Sequence, residues 1–87
     1  MILLDPPLWP RHGRTWSHLV SDTSLEELHA FAARTGVPER AFDRDHYDVP
    51  DERYDELVAA GAIPVGTREL VRRLRASGLR VRARDRH

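Results

Sequence analysis

The chain contains no cysteine, which excludes both disulfide bonds and thiolate metal ligands. It also contains no lysine, so all fourteen basic residues are arginine. No apolar run approaches the roughly 18 residues that cross a membrane, and the apolar residues 1–4 are too few for the core of a signal peptide. These absences predict a cytoplasmic protein with no membrane partner.

The length and the charge distribution limit the organisation of the chain. A chain of 87 residues is long enough for one domain with one small hydrophobic core. We expect a compact domain over residues 1–78 and an arginine-rich tail over residues 79–87. Net charge is zero, yet residues 1–67 hold twelve acidic residues and six arginines, whereas residues 68–87 hold two acidic residues and eight arginines. This asymmetry favours a salt-sensitive homodimer.

The spacing of apolar residues predicts three strands and three helices. The first helix begins with a capping box formed by Thr23 and Glu26, and it ends at Gly36. Residues 8–15 and 39–45 are predicted as loops, and His46 belongs to a loop that leads into the second helix. The element order indicates an α/β or α+β fold, in which about three helices cover a small sheet of short strands. The predicted strands cover residues 2–4, 16–20 and 62–65, and the predicted helices cover residues 23–36, 51–60 and 68–77.

Histidines and carboxylates at the ends of these elements are the first candidate site. The period of a strand places His18 on one face with Trp16 and Val20, and His29 lies at the edge of the apolar stripe of the first helix. If that helix packs on that face, both imidazoles enter one crevice, and the loop with His46 can reach it. The alternative is three separate, hydrogen-bonded histidines.

Imidazole is the side chain best suited to bind a divalent first-row metal and to exchange protons near neutral pH. The hypothesis is therefore a divalent-metal or catalytic site formed by His18, His29 and His46, with Asp5 and Asp22 at its rim. The consecutive residues His46, Tyr47 and Asp48 could also orient a ligand or act in acid–base catalysis. In the alternative interpretation, Tyr47 packs inward and Asp48 caps the second helix.

Arginines supply two further candidate features. Thr67 and Arg68 open the third helix, where backbone N–H groups, a hydroxyl and a guanidinium suit a phosphate, although Thr67 also fits an ordinary N-cap. The arginines of the last helix and tail suit an acidic protein, nucleic acid or a second copy of the chain. No aromatic residue interleaves with them, which weakens the case for single-stranded nucleic acid.

Several short motifs occur in order along the chain: WSHL at residues 16–19, ELHAFA at residues 27–32 and HYD at residues 46–48. Together they resemble a small bacterial and phage family known only as a domain of unknown function, over about residues 2–78. The resemblance implies a compact stand-alone domain and assigns no catalytic residue. By association alone, it slightly favours nucleotide or nucleic-acid metabolism.

Two functional hypotheses follow from the sequence. The first is a pocket of histidine, aspartate and tyrosine side chains that binds a divalent metal or a phosphorylated small molecule, with or without catalysis. The second is a non-enzymatic interaction module that uses the arginine-rich C-terminal face. The distances between the three imidazoles discriminate between them.

Overall fold

Six short strands form one sheet in the computed structural model, which describes residues 1–81. The strand order is β4-β5-β3-β1-β6, and β2 pairs with β3. β1 and β6 are parallel, and the other pairs are antiparallel. The strands are β1 (Ile2–Leu4), β2 (Trp9–Arg11), β3 (Arg14–Ser21), β4 (Phe42–Asp43), β5 (His46–Pro50) and β6 (Ile63–Pro64).

Three helices accompany the sheet, so the predicted small sheet with about three helices is confirmed as an α+β fold. They are α1 (Leu25–Thr35), α2 (Tyr54–Ala59) and α3 (Thr67–Ser77), with short 3-10 turns at Glu39–Ala41 and Asp51–Arg53. The N-cap of α1 is Ser24, whose hydroxyl accepts the backbone N–H of Glu27. The predicted capping box of Thr23 and Glu26 is therefore wrong by one residue. Gly36 ends α1 in the left-handed region, as predicted.

All three segments predicted as loops contain strands instead: β2 and the start of β3 lie in residues 8–15, β4 lies in residues 39–45, and β5 starts at His46. β2 and β3 form a hairpin whose two turn residues, His12 and Gly13, both have positive φ, 54° and 76°. Such a turn matches the twist of the flanking strands, so His12 and Gly13 connect two paired strands within a segment that was predicted as a loop. His46 begins β5, which pairs with β3 and places Asp48 opposite His18. The expected loop around His46 is thus wrong, because the pairing partner is distant in sequence.

The sheet separates two hydrophobic clusters, whereas the sequence led us to expect one core. Alternation along β3 sends Leu19 towards one cluster and Val20 towards the other. Leu28 of α1 and Leu57 of α2 pack with Leu19, while Leu70 and Leu74 of α3 pack with Val20. Consequently α1 and α2 cover one face of the sheet, and α3 covers the opposite face.

The chain continues past α3 over residues 79–81. Leu79 packs against the apolar cluster of α3, and Arg80 and Val81 reach Asp45. The alternation of apolar residues and arginine over residues 79–84 predicts an amphipathic edge strand. Residues 79–81 form no strand, and the remainder of that segment lies outside the described residues. Among the helices of residues 1–81, none combines the length and apolar character required to span a membrane.

Candidate functional site

A buried carboxylate fixes the position of His18 on the sheet face that α3 covers. Asp5 follows β1 and is fully buried. Its Oδ1 accepts the backbone N–H of His18 at 2.6 Å, and its Oδ2 lies 2.8 Å from His18 Nδ1. Trp9 Nε1 and Thr67 Oγ1 also donate to Oδ2, at 3.3 and 3.1 Å. Because Asp5 occupies Nδ1, Nε2 is the ring nitrogen of His18 that has no hydrogen-bond partner among residues 1–81.

The same contacts decide the ionisation of Asp5. Burial raises the pKa of its carboxyl group, but the hydrogen bonds from His18 and Trp9 outweigh burial and lower the pKa below its ordinary value. Asp5 is therefore a carboxylate at neutral pH. An ionised acceptor holds His18 with Nδ1 as the donor.

His46 is held by carboxylates on both sides of its ring. Its Nδ1 lies 2.7 Å from Oδ1 of Asp45, and the Asp45 side chain is only 2% exposed. On the other side of the ring, Nε2 lies 3.1 Å from Oδ1 of Asp48. Asp45 Oδ2 also accepts the backbone N–H of Val81 at 2.8 Å. Burial disfavours the charged imidazolium, but hydrogen bonds to Asp45 and Asp48 raise the pKa of His46 to about 9. His46 is thus an imidazolium at neutral pH in the metal-free protein.

His18, His46 and Asp48 form a cluster on this face of the sheet. The pairing of β3 with β5 sets His18 opposite Asp48, and one strand period from Asp48 leads to His46 on the same face. The two imidazole rings meet edge to face with centroids 5.1 Å apart. One possible ligand atom from each residue lies within 4.8 Å of those of the other two. These three side chains are therefore the ones that could hold a metal ion.

A cavity of about 270 Å³ lies next to the two histidines, between the sheet and α3. Its wall is apolar along much of α3, at Leu70, Val71 and Leu74, and polar at the two histidines. The Trp9 ring closes one side, with its centroid 5.1 Å from that of His18. The lining residues are Trp9, His18, Val20, His46, Thr67, Leu70, Val71, Leu74 and Arg80.

His29 does not join this cluster, so the expected convergence of three histidines is wrong. α1 packs on the face of Leu19, the opposite face from His18. There His29 Nδ1 lies 2.6 Å from the Tyr47 hydroxyl, and its ring centroid lies 4.7 Å from that of Phe42. Tyr47 is likewise separate from His46 and Asp48. Successive side chains of β5 point to opposite faces of the sheet, so Tyr47 lies on the face of His29.

The other predicted ligand residues have different positions. Asp22 follows β3 at the opposite end of the sheet from Asp5, where its carboxylate contacts the N-terminal amino group at 3.2 Å and Arg73 at 2.7 Å. It does not border the histidine cluster. Thr67 lines the cavity and donates to Asp5, while Gly66 is the N-cap of α3. Arg68 is exposed on α3 and forms no ion pair with residues 1–81.

Sequence reasoning missed three residues of the site. Asp45 directly precedes the His-Tyr-Asp group, and its position next to a histidine was the available signal. Trp9 and Arg11 belong to the segment 8–15, which was predicted as a loop. Arg11 NH2 instead donates to Asp48 Oδ2 at 3.2 Å. Its contact depends on the β2–β3 hairpin, which brings Arg11 alongside the strand that pairs with Asp48.

The fold and site define a small α+β domain with two carboxylate–histidine pairs beneath a single helix. The chain belongs to the family described as protein of unknown function (DUF4031), which matches residues 2–77. This match agrees with the family resemblance of the sequence. Neither the curated proteins nor the solved structures contain a match.

Proposed function

We propose that this domain binds one divalent first-row metal ion through His18, His46 and Asp48. The observation that carries the proposal is that both histidines direct Nδ1 at a buried carboxylate, Asp5 for His18 and Asp45 for His46. Metal-binding histidines commonly donate one ring N–H to a carboxylate, which fixes the ring and raises the basicity of the other nitrogen. The two Nε2 atoms then serve as ligands beside an Asp48 oxygen.

The donor set suits a metal with exchangeable positions. Two imidazoles and one carboxylate bind Zn²⁺, Fe²⁺ or Mn²⁺, and three protein ligands leave room for water or a small molecule. The cavity beside His18 and His46 can receive that molecule. We propose on this basis a metal-dependent ligand site, with any catalysis arising from water or substrate bound at the open positions.

Metal binding requires a small movement of the ligand side chains and the loss of one proton. Ligand atoms about 2.1 Å from one metal are at most about 4.2 Å apart, and those of the cluster lie within 4.8 Å of one another, so any pair near that limit must approach by about half an ångström or more. His46 Nε2 and Asp48 Oδ1 are already 3.1 Å apart. His46 must also lose its Nε2 proton, since only the neutral imidazole is a ligand.

The hypothesis of an interaction module that uses the arginines of α3 has less support than the metal site within residues 1–81. Two arginines of α3 that were predicted to face a partner are engaged within the chain. Arg72 pairs with Glu69 at 2.6 Å, and Arg73 pairs with Asp22 at 2.7 Å. The charge that α3 offers to nucleic acid or to a second copy is correspondingly reduced.

Isothermal titration of untagged protein with Zn²⁺ and Mn²⁺ tests the proposal. The parent protein should bind one ion, and His18→Ala or His46→Ala should weaken binding at least a hundredfold. His29→Ala is the matched control, because its histidine lies on the other face of the sheet. Equal affinity in all three variants, or no binding by the parent, would contradict the proposal. Circular dichroism of each variant establishes that it remains folded.

A further inference from the structure

A groove with an excess of arginine opens beside the proposed metal site. Its volume is about 660 Å³, within the range of small-molecule sites. Four arginines and two aspartates line it, so the lining carries two positive charges more than negative ones. The charged lining residues are Arg11, Arg14, Arg40, Arg53, Asp43 and Asp48.

The arginines differ in how firmly the chain holds them. Arg14 pairs with Glu52 at 2.7 Å, and Arg53 pairs with Glu56 at 2.8 Å. Arg40 is exposed, and its guanidinium forms no ion pair or hydrogen bond with residues 1–81. Arg40 is therefore available to an incoming anion. Guanidinium groups favour phosphate because they can donate two parallel hydrogen bonds to it.

Flat apolar side chains supply the remainder of the wall. Trp16, Phe42, Pro38 and Pro50 line the groove between the arginines. The face of the Trp16 ring already attracts cations, since the guanidinium carbons of Arg11 and Arg14 lie 5.2 and 6.0 Å from the ring centroid. A planar heterocyclic base that displaces one of these guanidinium groups can stack on the Trp16 ring, because every base has a flat face that packs on an aromatic side chain. The groove thus offers guanidinium groups for the phosphate of a nucleotide and an aromatic ring for its base.

The groove is continuous with the metal cluster through Asp48. One carboxylate oxygen of Asp48 faces His46 Nε2, and the other accepts Arg11. A smaller cavity of about 140 Å³ lies between the two regions, and its lining includes Arg11, Trp16, His18 and Asp48. Arg11 and Asp48 line both the groove and this cavity, so a phosphate held in the groove at Arg11 lies next to the Asp48 end of the metal cluster.

We propose that the arginine-lined groove binds a nucleoside phosphate, with its base against Trp16 and its phosphate at Arg11 and Arg40 beside the metal ion. The placement beside the metal rests on the proposed function, whereas the groove itself depends only on the arginines and Trp16. Arg40 supplies a guanidinium group that has no partner within residues 1–81. Arg11 already donates to Asp48, so a phosphate bound by Arg11 would lie beside the metal ligands.

Calorimetric titration with AMP, adenosine and inorganic phosphate tests the groove in metal-free protein. AMP should bind at least tenfold more tightly than adenosine or phosphate alone, because it engages both the guanidinium groups and the aromatic ring. Arg40→Ala should weaken AMP binding about tenfold or more, the effect of losing one charge-assisted hydrogen bond. Arg75→Ala is the matched control, since Arg75 is exposed on α3 and lies outside the groove.

The possible outcomes separate this proposal from the metal proposal. Equal losses in Arg40→Ala and Arg75→Ala, or AMP binding no tighter than adenosine, would overturn the groove. Binding of a single-stranded oligonucleotide without binding of AMP would also overturn it, in favour of a nucleic-acid surface.

In protein that binds Zn²⁺, the ion should tighten AMP binding at least tenfold, and equal AMP affinity with and without Zn²⁺ would refute the placement beside the metal. AMP binding by protein that fails to bind Zn²⁺ would support the groove and reject only the metal.

Discussion

Stability of the metal-free protein should decrease as pH rises from about 6.5 to about 9, because over that range the unfolded protein has released the His46 proton while the folded protein still binds it. Its pKa rises from an ordinary 6.5 to about 9 in the folded protein, where Asp45 and Asp48 contact both ring nitrogens. A group whose pKa is higher in the folded state stabilises that state fully below the unfolded pKa. The stabilisation is lost as pH passes the folded pKa.

The size of this contribution follows from the difference in pKa between the two states. Each pKa unit corresponds to 1.36 kcal/mol, so a shift from 6.5 to about 9 contributes at most about 3 kcal/mol below pH 6.5. The His46 side chain is only 12% exposed, so solvent screens these contacts weakly. For a domain of marginal stability, this contribution is a large fraction of the total.

Urea unfolding between pH 6 and pH 9.5, with chelator present, measures the effect. His46→Gln is the comparison variant, and the difference in free energy of unfolding between the two proteins should shrink by about 2–3 kcal/mol across the range. The comparison is needed because the pKa of the Met1 amino group is also raised. Burial lowers that pKa, but hydrogen bonds to Glu27 and Asp22 outweigh burial. A difference that is constant with pH would refute the assigned charge of His46.

Three further predictions follow from the same contacts. Zn²⁺ affinity should rise by up to tenfold per pH unit between pH 6.5 and pH 9, because the ion replaces the proton of His46, and calorimetry at several pH values checks this. Asp5→Asn should weaken Zn²⁺ binding about 10- to 100-fold by releasing His18, whereas Asp22→Asn, at the other end of the sheet, should not change it. Leu28→Ala should reduce the free energy of unfolding by about 2–5 kcal/mol, because the Leu28 side chain is fully buried between α1 and the sheet; an unchanged urea midpoint would contradict this packing.

The elements that depend on local sequence could be predicted, whereas their pairing could not. The apolar spacing of α1 and α3 and the stop at Gly36 are encoded within a few residues. The strand that contains His46 forms through pairing with β3, which lies more than twenty residues earlier, so its sequence gave only the signal of a loop.

The candidate site was predicted only in part for a similar physical reason. Alternation along β3 correctly places His18 with Trp16 and Val20, but it does not reveal which helix covers that face. α3 covers it, and α1 covers the face of Leu19. His18 and His46 therefore lie together, while His29 is paired with Tyr47 beyond the sheet. Which helix covers which face depends on the path of the whole chain.

The most direct test of the metal site is a Zn²⁺ titration followed by NMR of the imidazole nitrogens in untagged protein. The proposal predicts that one equivalent of Zn²⁺ shifts Nε2 of His18 and His46, that both Nδ1 atoms remain protonated, and that His29 does not change. Shifts at His29 equal to those at His18 and His46, or no saturation at one equivalent, would contradict the proposal that these two histidines and Asp48 form the metal site.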